Sequence, residues 1–304
     1  MTSREIPILF QTDMVRAILT CAKCGKISVE YPCCHCDSTE FRKTQTRRVI
    51  KPQPPQGAWP IYDSLDCYQG DGWAFQYPKA IGGGCTFNSI FKLPNNGQCP
   101  YGTVGDLQWV RERAKLIAPD MGCGWGGSYK GRFIYEADGF ESDWLPYPGR
   151  LSILGCGLCV PNGCYKEIAR IWLKVTGIRV ERVQDISEED AQAEGIVYQL
   201  NKGIGGETCY DDAIGKHKGE YRWLAALPPF KLLWDSINAK PKKAKHNPYT
   251  GKKEICYVSY PWEQIRETRE KNSLPWYVVG NPWVWAESFQ RTNHNAASAG
   301  KVSK

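Results

Sequence analysis

Four cysteines near the start of the chain constrain its folding more than any other feature of the sequence. Cys21, Cys24, Cys33 and Cys36 stand at the spacing C-x2-C-x8-C-x2-C. Each C-x2-C pair presents two sulfurs from one tight turn, so four thiolates can meet around a tetrahedral ion, usually Zn²⁺. Four protein ligands leave no position for water. The sequence therefore predicts a structural zinc site that orders the polar run at 43–48 just after it.

The competing interpretation of these cysteines is a pair of disulfides or free thiols in a core. Residues 1–5 lack the basic, apolar and small-residue succession of a secretory signal, so we expect a reducing compartment. In such a compartment this spacing favours a metal over disulfides. Cys34, inside the same segment, is a spare sulfur that competes as a ligand.

A second, looser group of cysteines lies in the middle of the chain. Cys156, Cys159 and Cys164 offer three ligands, and Cys123 is the candidate for a fourth. Spacing alone does not identify a ligand from a distant segment, so a second zinc site and its absence are equally open. The remaining cysteines are expected to be buried apolar thiols, namely Cys67, Cys85, Cys99, Cys209 and Cys256.

Charge and length limit the classes of function that fit the chain. Its 304 residues include 39 Lys and Arg against 32 Asp and Glu, a formal net charge of +7. This balance suits a polyanionic partner, although proteins that touch no nucleic acid often carry as much charge. No apolar stretch approaches the ~18 residues of a membrane-spanning helix, so no membrane partner is expected.

Apolar residues keep mostly to short strand-like runs separated by Gly, Pro and Asn. The predicted strands cover residues 7–10, 44–51, 106–114, 131–138, 168–183 and 281–289, with a break or bulge at Gly177. Predicted helices begin at Thr12, run from Ser187 to Glu194 behind a capping box, and cover residues 230–237. This distribution predicts an α+β fold, a mixed β-barrel with short helices at its ends, and not a parallel βαβ sheet.

One acidic residue stands out in the strand predicted at 106–114. A period of two places Val110, Glu112 and Ala114 on one face of that strand. If this face looks inward, Glu112 is a buried carboxylate that needs a cationic or hydrogen-bonding partner and whose pKa is tunable. The alternative is a solvated glutamate paired with a neighbouring arginine.

Five blocks of sequence, in a fixed order over nearly the whole chain, carry a resemblance to a known family. They are Arg42–Pro52, Gly105–Glu112, Val175–Ile196, Leu233–Asn238 and Asn281–Trp285. In these blocks the chain resembles the ASCH-domain proteins of phages and prophages, which belong to the PUA-like superfamily of small β-barrels. The resemblance implies a single domain and its insertions: residues 1–291, with a zinc-knuckle insertion at 20–40, further insertions at 52–104, 116–165, 198–225 and 239–257, and a disordered tail at 292–304.

The family motif G-x-K-x-x-T-x-R falls on Phe41, Lys43, Thr46 and Arg48, so the chain departs from it at the glycine. Phe41, directly after the zinc insertion, suggests that the knuckle replaces a tight glycine turn. Small bacterial ASCH proteins that are similar around these positions use a Lys, a Thr and a Glu to remove the acetyl group from N4-acetylcytidine. The resemblance implies Lys43, Thr46 and Glu112 as the corresponding catalytic set.

Elementary chemistry is compatible with that set. A Thr hydroxyl becomes a nucleophile when a base takes its proton, and Lys43 can be that base if burial or a nearby cation lowers its pKa. Glu112 would orient the lysine or carry a proton to the leaving amine. Arg48 or backbone N–H groups would stabilise the oxyanion.

The same density of cationic and hydroxyl side chains is what a phosphate-binding strand needs, and we favour binding over turnover. The candidate nucleic-acid-binding residues are Arg42, Lys43, Arg47, Arg48, Arg111, Lys242, Lys243 and Lys245. The last three belong to residues 240–253, which carry six lysines and are expected to form a loop or hairpin tip. That tip is either ordinary surface or a clamp on a nucleic-acid backbone, with Tyr249 stacked on a base.

The sequence therefore predicts a cytoplasmic protein of a bacterial host cell, expressed from a phage or prophage. Its expected function is to bind nucleic acid, RNA in the first place, or a modified nucleoside. Two alternatives stay open: an N4-acetylcytidine amidohydrolase, and a phage adaptor that inhibits a host protein through the insertions at 52–104 and 198–225. Zn²⁺ is the one cofactor predicted.

Overall fold

The computed structural model describes residues 3–63, 72–80, 86–120, 130–146, 156–196, 199–202, 208–211 and 226–293. The helices within these ranges are α1 (Thr12–Leu19), α2 (Glu188–Ala193) and α3 (Leu227–Asn238). The strands of the first half are β1 (Glu5–Leu9), β2 (Gln45–Val49), β3 (Trp59–Asp63), β4 (Gly72–Ala80), β5 (Thr86–Lys92), β6 (Leu107–Arg111), β7 (Ala114–Asp120), β8 (Lys130–Tyr135) and β9 (Leu145–Pro146). Those of the second half are β10 (Trp172–Arg182), β11 (Gln199–Lys202), β12 (Thr208–Asp211), β13 (Lys242–His246), β14 (Lys253–Ser259), β15 (Arg266–Lys271), β16 (Leu274–Val279) and β17 (Trp283–Thr292).

A five-stranded sheet in the order β1-β6-β10-β17-β2 forms the centre of the molecule. β1 runs parallel to β6, and the other pairs are antiparallel. β10 and β17 pair over almost their whole length, with a shift of register between Val175 and Gly177. The predicted interruption at Gly177 is therefore confirmed as an irregularity inside one long strand.

The predicted α+β class is confirmed, but the predicted barrel is wrong for the described residues. β1 and β2 form opposite edges of the central sheet and do not pair with each other. The remaining strands form four further open sheets, β3-β4-β5, β7-β8-β9, β11-β12 and β13-β14-β16-β15. Alternation of apolar residues identifies a strand and its faces, but the neighbour of each strand depends on long-range pairing.

The register of the central sheet decides which side chains each face receives. On one face, here called the helical face, α2 and α3 pack against Val284. The other face packs on α1 and on the β3-β4-β5 sheet. In β2, Arg47 lies opposite Ala286 of β17, which is two residues from Val284 and therefore shares its face of the sheet. Thr46 and Arg48, the neighbours of Arg47 in the strand, have the opposite phase. Arg47 therefore lies on the helical face, and Thr46 and Arg48 lie on the other.

Local sequence signals account well for the helices. The predicted apolar face of α1 is buried through Val15 and Ile18. Its N-cap is Gln11, one residue before the predicted Thr12. At α2, the Ser187 side chain accepts a hydrogen bond from the backbone N–H of Asp190, as the capping box predicts. None of the helices in the described ranges is long and apolar enough to cross a bilayer.

The described parts of the insertion at 52–104 pack against the central sheet. Phe75 and Leu93 join Trp283 and Trp285 of the central sheet in one hydrophobic cluster. Most of 198–225 and the tail from 294 lie outside the described residues.

Candidate functional site

The four cysteines of the knuckle, here residues 20–41, come together as the spacing predicts. Their sulfurs all lie within 4.8 Å of one another. Cys21 Sγ is 3.6 Å from Cys36 Sγ, and Cys24 Sγ is 3.7 Å from Cys33 Sγ. These distances exclude disulfides, whose sulfurs are about 2.05 Å apart, and match the edge of about 3.8 Å in a tetrahedron with Zn–S bonds of about 2.3 Å. The four residues therefore fit a tetrahedral metal site.

The knuckle is attached directly to the segment that contains Lys43 and the strand β2, which carries Thr46. The backbone N–H of Arg42 donates to the Thr20 carbonyl at 3.0 Å, and Phe41 packs on Cys21 and Cys33. Arg291, near the end of β17, lies 4.2 Å from the Phe41 ring centroid and donates to the Ser28 carbonyl at 2.9 Å. A metal that holds the knuckle would thus also hold the start of β2.

The competing sulfurs have other surroundings. Cys34 is exposed and lies 3.5 Å from Ser28 Oγ. Cys156 donates to the Ile117 carbonyl, Cys159 lies 3.8 Å from Glu136 Oε1, and Cys164 is buried. Within the described ranges, only the four knuckle cysteines form a possible metal-ligand group.

The structure therefore does not bring Cys156, Cys159 and Cys164 together. Of the cysteines expected to be buried, Cys99 and Cys256 are. Cys67, Cys85, Cys123 and the Cys209 side chain lie outside the described residues.

Lys43 is buried and bound to Glu194. Its ammonium donates to Glu194 Oε2 at 2.7 Å and to the Glu194 carbonyl at 2.8 Å. Burial lowers the pKa of Lys43, Glu194 opposes this effect, and the neighbouring Arg48 and Arg47 add to the lowering. Gly195, with φ of +90°, permits this close approach, because a Cβ there would lie 2.8 Å from the Ala17 Cβ.

Glu112 is buried, as its strand phase predicted, but its partner is Arg170. The guanidinium donates to both Glu112 oxygens at 2.9 and 2.8 Å and also binds Asp138. No hydrogen bond or ion pair among the described residues joins Glu112 to Lys43 or Thr46. The carboxylate that the fold places beside Lys43 is Glu194, which the sequence reasoning missed although it ends the predicted helix just before Gly195.

Arg47 is held by acidic groups on the helical face. It lies 2.7 Å from Glu181, 2.9 Å from Asp190 and 3.2 Å from Glu194, and its side chain is almost completely buried. Three carboxylates around one guanidinium leave it little capacity for a ligand.

A cleft of about 800 Å³ opens along the free edge of β2. Its other walls are the start of α1, one face of α3 and the hairpin β13–β14. Thr46, Arg48 and Glu194 line its floor. The predicted Lys242, Lys243 and Lys245 line its rim, together with Lys51, and Tyr101, Trp234 and Tyr260 add aromatic walls.

Apart from Arg47, the lysine and arginine side chains that line this cleft lack ion-pair partners among the described residues. Arg48, Lys51 and the three hairpin lysines form no ion pair within the described ranges, and Glu194 is already shared by Lys43 and Arg47. Arg48 donates to the Leu9 carbonyl at 2.6 Å, but its buried Nε has no described partner. Burial and the neighbouring Lys242 lower the pKa of Lys51. The cleft therefore concentrates uncompensated positive charge beside aromatic rings.

The other predicted binding residues lie away from this cleft. Arg42 is half-buried beside the knuckle, and Arg111 donates to the Asn162 carbonyl. The Tyr249 ring packs at right angles on Tyr277, with centroids 5.7 Å apart. None of the three lines the cleft.

A further buried carboxylate, Glu287, lies on β17 directly opposite Thr46. Glu287 is fully buried and accepts a hydrogen bond from Gln108 Nε2, whereas its Oε2 and Gln108 Oε1 have no described partner. Burial raises the pKa of Glu287 to about 7, although Gln108 and Arg48 favour the charged form. An acidic residue inside the apolar run 283–289 was the signal for it.

Glu287→Gln is expected to stabilise the protein above pH 7. The folded-state pKa of about 7 exceeds the ordinary 4.5, so the folded protein binds the proton more tightly. The contribution of Glu287 to the free energy of unfolding is therefore greatest below pH 4.5 and is lost as the pH rises through 7. Glutamine is uncharged and has an amide N–H for Gln108 Oε1, so the gain at pH 8 should be about 2–3 kcal/mol.

Urea unfolding at acidic and at alkaline pH measures this effect. Glu270→Gln, at an exposed position of β15, is the matched control and should change neither value. An equal gain at both pH values would contradict the assignment to Glu287 ionisation.

The chain was compared with protein-family models, curated proteins and solved structures. No family model, curated protein or solved structure matches the chain. The ASCH resemblance therefore stays a prediction from the five sequence blocks.

Proposed function

We propose that the cleft binds the sugar-phosphate backbone of nucleic acid, or a modified nucleoside carrying phosphate. The observation that carries this proposal is the set of unpaired cations along its rim, Lys51, Lys242, Lys243 and Lys245, with Arg48 on the floor. Lys and Arg side chains without acidic partners are the groups that hold phosphate oxygens. The volume of about 800 Å³ accommodates a nucleotide.

The aromatic and hydroxyl groups of the cleft complete the binding site. Tyr101, a partly buried ring in the cleft lining, is the candidate surface for a base, and Thr46 places a hydroxyl side chain in the same lining. RNA as the preferred partner, and a phage or prophage origin within the ASCH family, remain parts of the same proposal.

The knuckle, in this proposal, holds one structural Zn²⁺ through Cys21, Cys24, Cys33 and Cys36. The sulfur separations of 3.6 and 3.7 Å support it. The ion would fix residues 20–41 and, through Phe41 and Arg42, the start of β2.

A second candidate function is removal of an acyl group from an N4-acetylcytidine-like substrate. The buried Lys43–Glu194 pair favours it, because Glu194 lines the cleft together with Thr46 and takes the role that the sequence reasoning gave to Glu112. From its neutral form, which burial favours by lowering the pKa, the Lys43 amine would take the proton of the Thr46 hydroxyl as that oxygen attacks the acyl carbon. The C–N bond would break with proton transfer to the leaving amine, and water would release the acyl group from Thr46.

Loss of rim charge is expected to weaken nucleic-acid binding. In Lys51→Ala/Lys242→Ala/Lys245→Ala, the slope of log K against log salt should fall by about 2–3 for a short oligonucleotide. Fluorescence anisotropy over a salt series measures it. Lys115→Ala/Lys130→Ala/Lys174→Ala removes equal charge outside the cleft and should keep the slope; equal losses in both variants would contradict the proposal.

The same preparation distinguishes binding from turnover. Wild type is incubated with N4-acetylcytidine, and cytidine is quantified by chromatography. Turnover that Thr46→Ala and Glu194→Gln both abolish supports the hydrolase. Oligonucleotide binding without any cytidine release leaves binding as the function.

A further inference from the structure

The four-stranded sheet β13-β14-β16-β15 has one face in a hydrophobic core and one face turned outward. Cys256, Val258 and Val279 belong to the core cluster, with Tyr277 packed against it. On the outward face, residues in register form one row across all four strands. The row runs Lys243, Tyr257, Trp276 and Arg269.

The two rings at the centre of this row are partly buried and fixed in place. Trp276 Nε1 donates to Ser259 Oγ at 3.0 Å, and the Arg269 guanidinium lies 5.2 Å from the Trp276 ring. The Lys271 ammonium lies 5.3 Å from the Tyr257 ring, whose hydroxyl accepts a hydrogen bond from Asn272 Nδ2. Both rings are thus pre-positioned at the surface, each beside a cation.

Charge on this face is predominantly positive. By strand phase the face carries Lys243, Lys253, Arg269 and Lys271, whereas its acidic residue is Glu267, which already pairs with Arg269. Glu254 and Glu270 have the opposite phase in their strands. Exposed Ile255 and half-buried Leu274 extend the apolar surface beside the rings.

This face is continuous with the cleft. β13 is an edge strand of the four-stranded sheet, and its residues 242–246 also line the cleft. Lys243 belongs to both surfaces, so a chain bound in the cleft can cross β13 onto the sheet without leaving positive charge.

We propose that the Tyr257–Trp276 face is a stacking platform for single-stranded nucleic acid that extends the cleft. Tyr257 and Trp276 are in register on neighbouring strands, whose backbones lie about 5 Å apart, so consecutive bases of one chain can reach the two rings. The flanking cations suit the phosphates between those bases. A protein partner would need acidic side chains to match the same row, whereas a polyanion matches it along its whole length.

This inference rests on the proposed function, and its test separates the two. The probes are labelled decamers of uridine and of thymidine, and cytidine 5′-monophosphate. Tyr257→Ala/Trp276→Ala should bind both decamers about 10-fold or more weakly, because stacking contributes on that scale for each base. Its affinity for the mononucleotide should be unchanged, because the cleft is intact.

The salt dependence of decamer affinity shows whether a variant has lost binding at the Tyr257–Trp276 face or at the rim of the cleft. Loss of stacking should lower decamer affinity with little change in salt slope, unlike the rim variant Lys51→Ala/Lys242→Ala/Lys245→Ala. Trp144→Ala, which removes a 48% exposed ring elsewhere, is the control and should bind as wild type. If the alanine pair unfolds, Tyr257→Leu/Trp276→Leu keeps apolar bulk without aromatic rings and should show the same loss.

Unchanged decamer affinity in a folded platform variant would overturn the platform while rim variants still test the cleft. Such a result would leave the face to a protein partner. Absence of decamer binding by wild type would overturn the proposed function and the platform together.

Discussion

Cys33→Ser is expected to release the metal and to destabilise the whole domain by about 4 kcal/mol or more. Cys33 is completely buried, and the knuckle has few apolar side chains of its own. Without an ion, four clustered thiols cannot replace the binding free energy of about 10–16 kcal/mol that a four-sulfur zinc site typically supplies. Residues 20–41 should then exchange their amide protons rapidly, and the start of β2 should loosen with them.

Elemental analysis, urea unfolding and hydrogen exchange measure this effect together. Wild type should contain one zinc per chain, and Cys33→Ser should contain none. Cys34→Ser is the matched control, because Cys34 is exposed and outside the sulfur group; its stability should stay within about 0.5 kcal/mol of wild type. Metal-free wild-type protein with full stability would refute the zinc proposal.

Lys43→Met should cost about 3–5 kcal/mol of unfolding free energy, because removal of one partner leaves a buried charge partly uncompensated. Lys43 Nζ is 2.7 Å from Glu194 Oε2, and both side chains are almost fully buried. In the double variant Lys43→Met/Glu194→Gln, neither charge remains and Arg47 keeps Glu181 and Asp190. Most of the lost stability should therefore return.

The pH dependence gives this prediction a second readout. Burial lowers the folded-state pKa of Lys43 below its ordinary 10.5, so the unfolded chain binds the proton more tightly. The stability linked to Lys43 is present above 10.5 and is lost as pH falls through the folded-state pKa. Lys43→Met should lack this rise at alkaline pH, whereas Lys115→Met, at a partly exposed position, should retain it. A double variant no more stable than the single one would contradict the pairing.

Local patterns predicted those features that depend on residues close together in the sequence. The C-x2-C pairs identified the four cysteines that come together, the Ser187 cap identified the start of α2, and alternation identified Glu112 as buried. Each of these signals is complete within 16 residues or fewer. These features could be predicted because tight turns, helix caps and strand phase are determined by residues that are close together in the sequence.

The features that failed depend on long-range pairing. Glu194 reaches Lys43 across 151 positions, and no local pattern links the two. Alignment of one strand suggested Glu112 instead, and Arg170, from a third segment, neutralises that carboxylate. The predicted barrel was wrong for the same reason, because the alternation of apolar residues does not show that β1 and β2 form opposite edges of the sheet.

Arg291 connects the knuckle to the central sheet. Its side chain extends from β17, and its guanidinium binds two carbonyls of the knuckle and lies over the Phe41 ring. β17 also pairs with β2, the strand that carries Thr46 and Arg48. If the knuckle holds zinc and the cleft binds nucleic acid as proposed, protein produced under zinc starvation should bind nucleic acid more weakly even with every cleft side chain present. Metal supply in the growth medium would then set the binding-competent fraction of the protein.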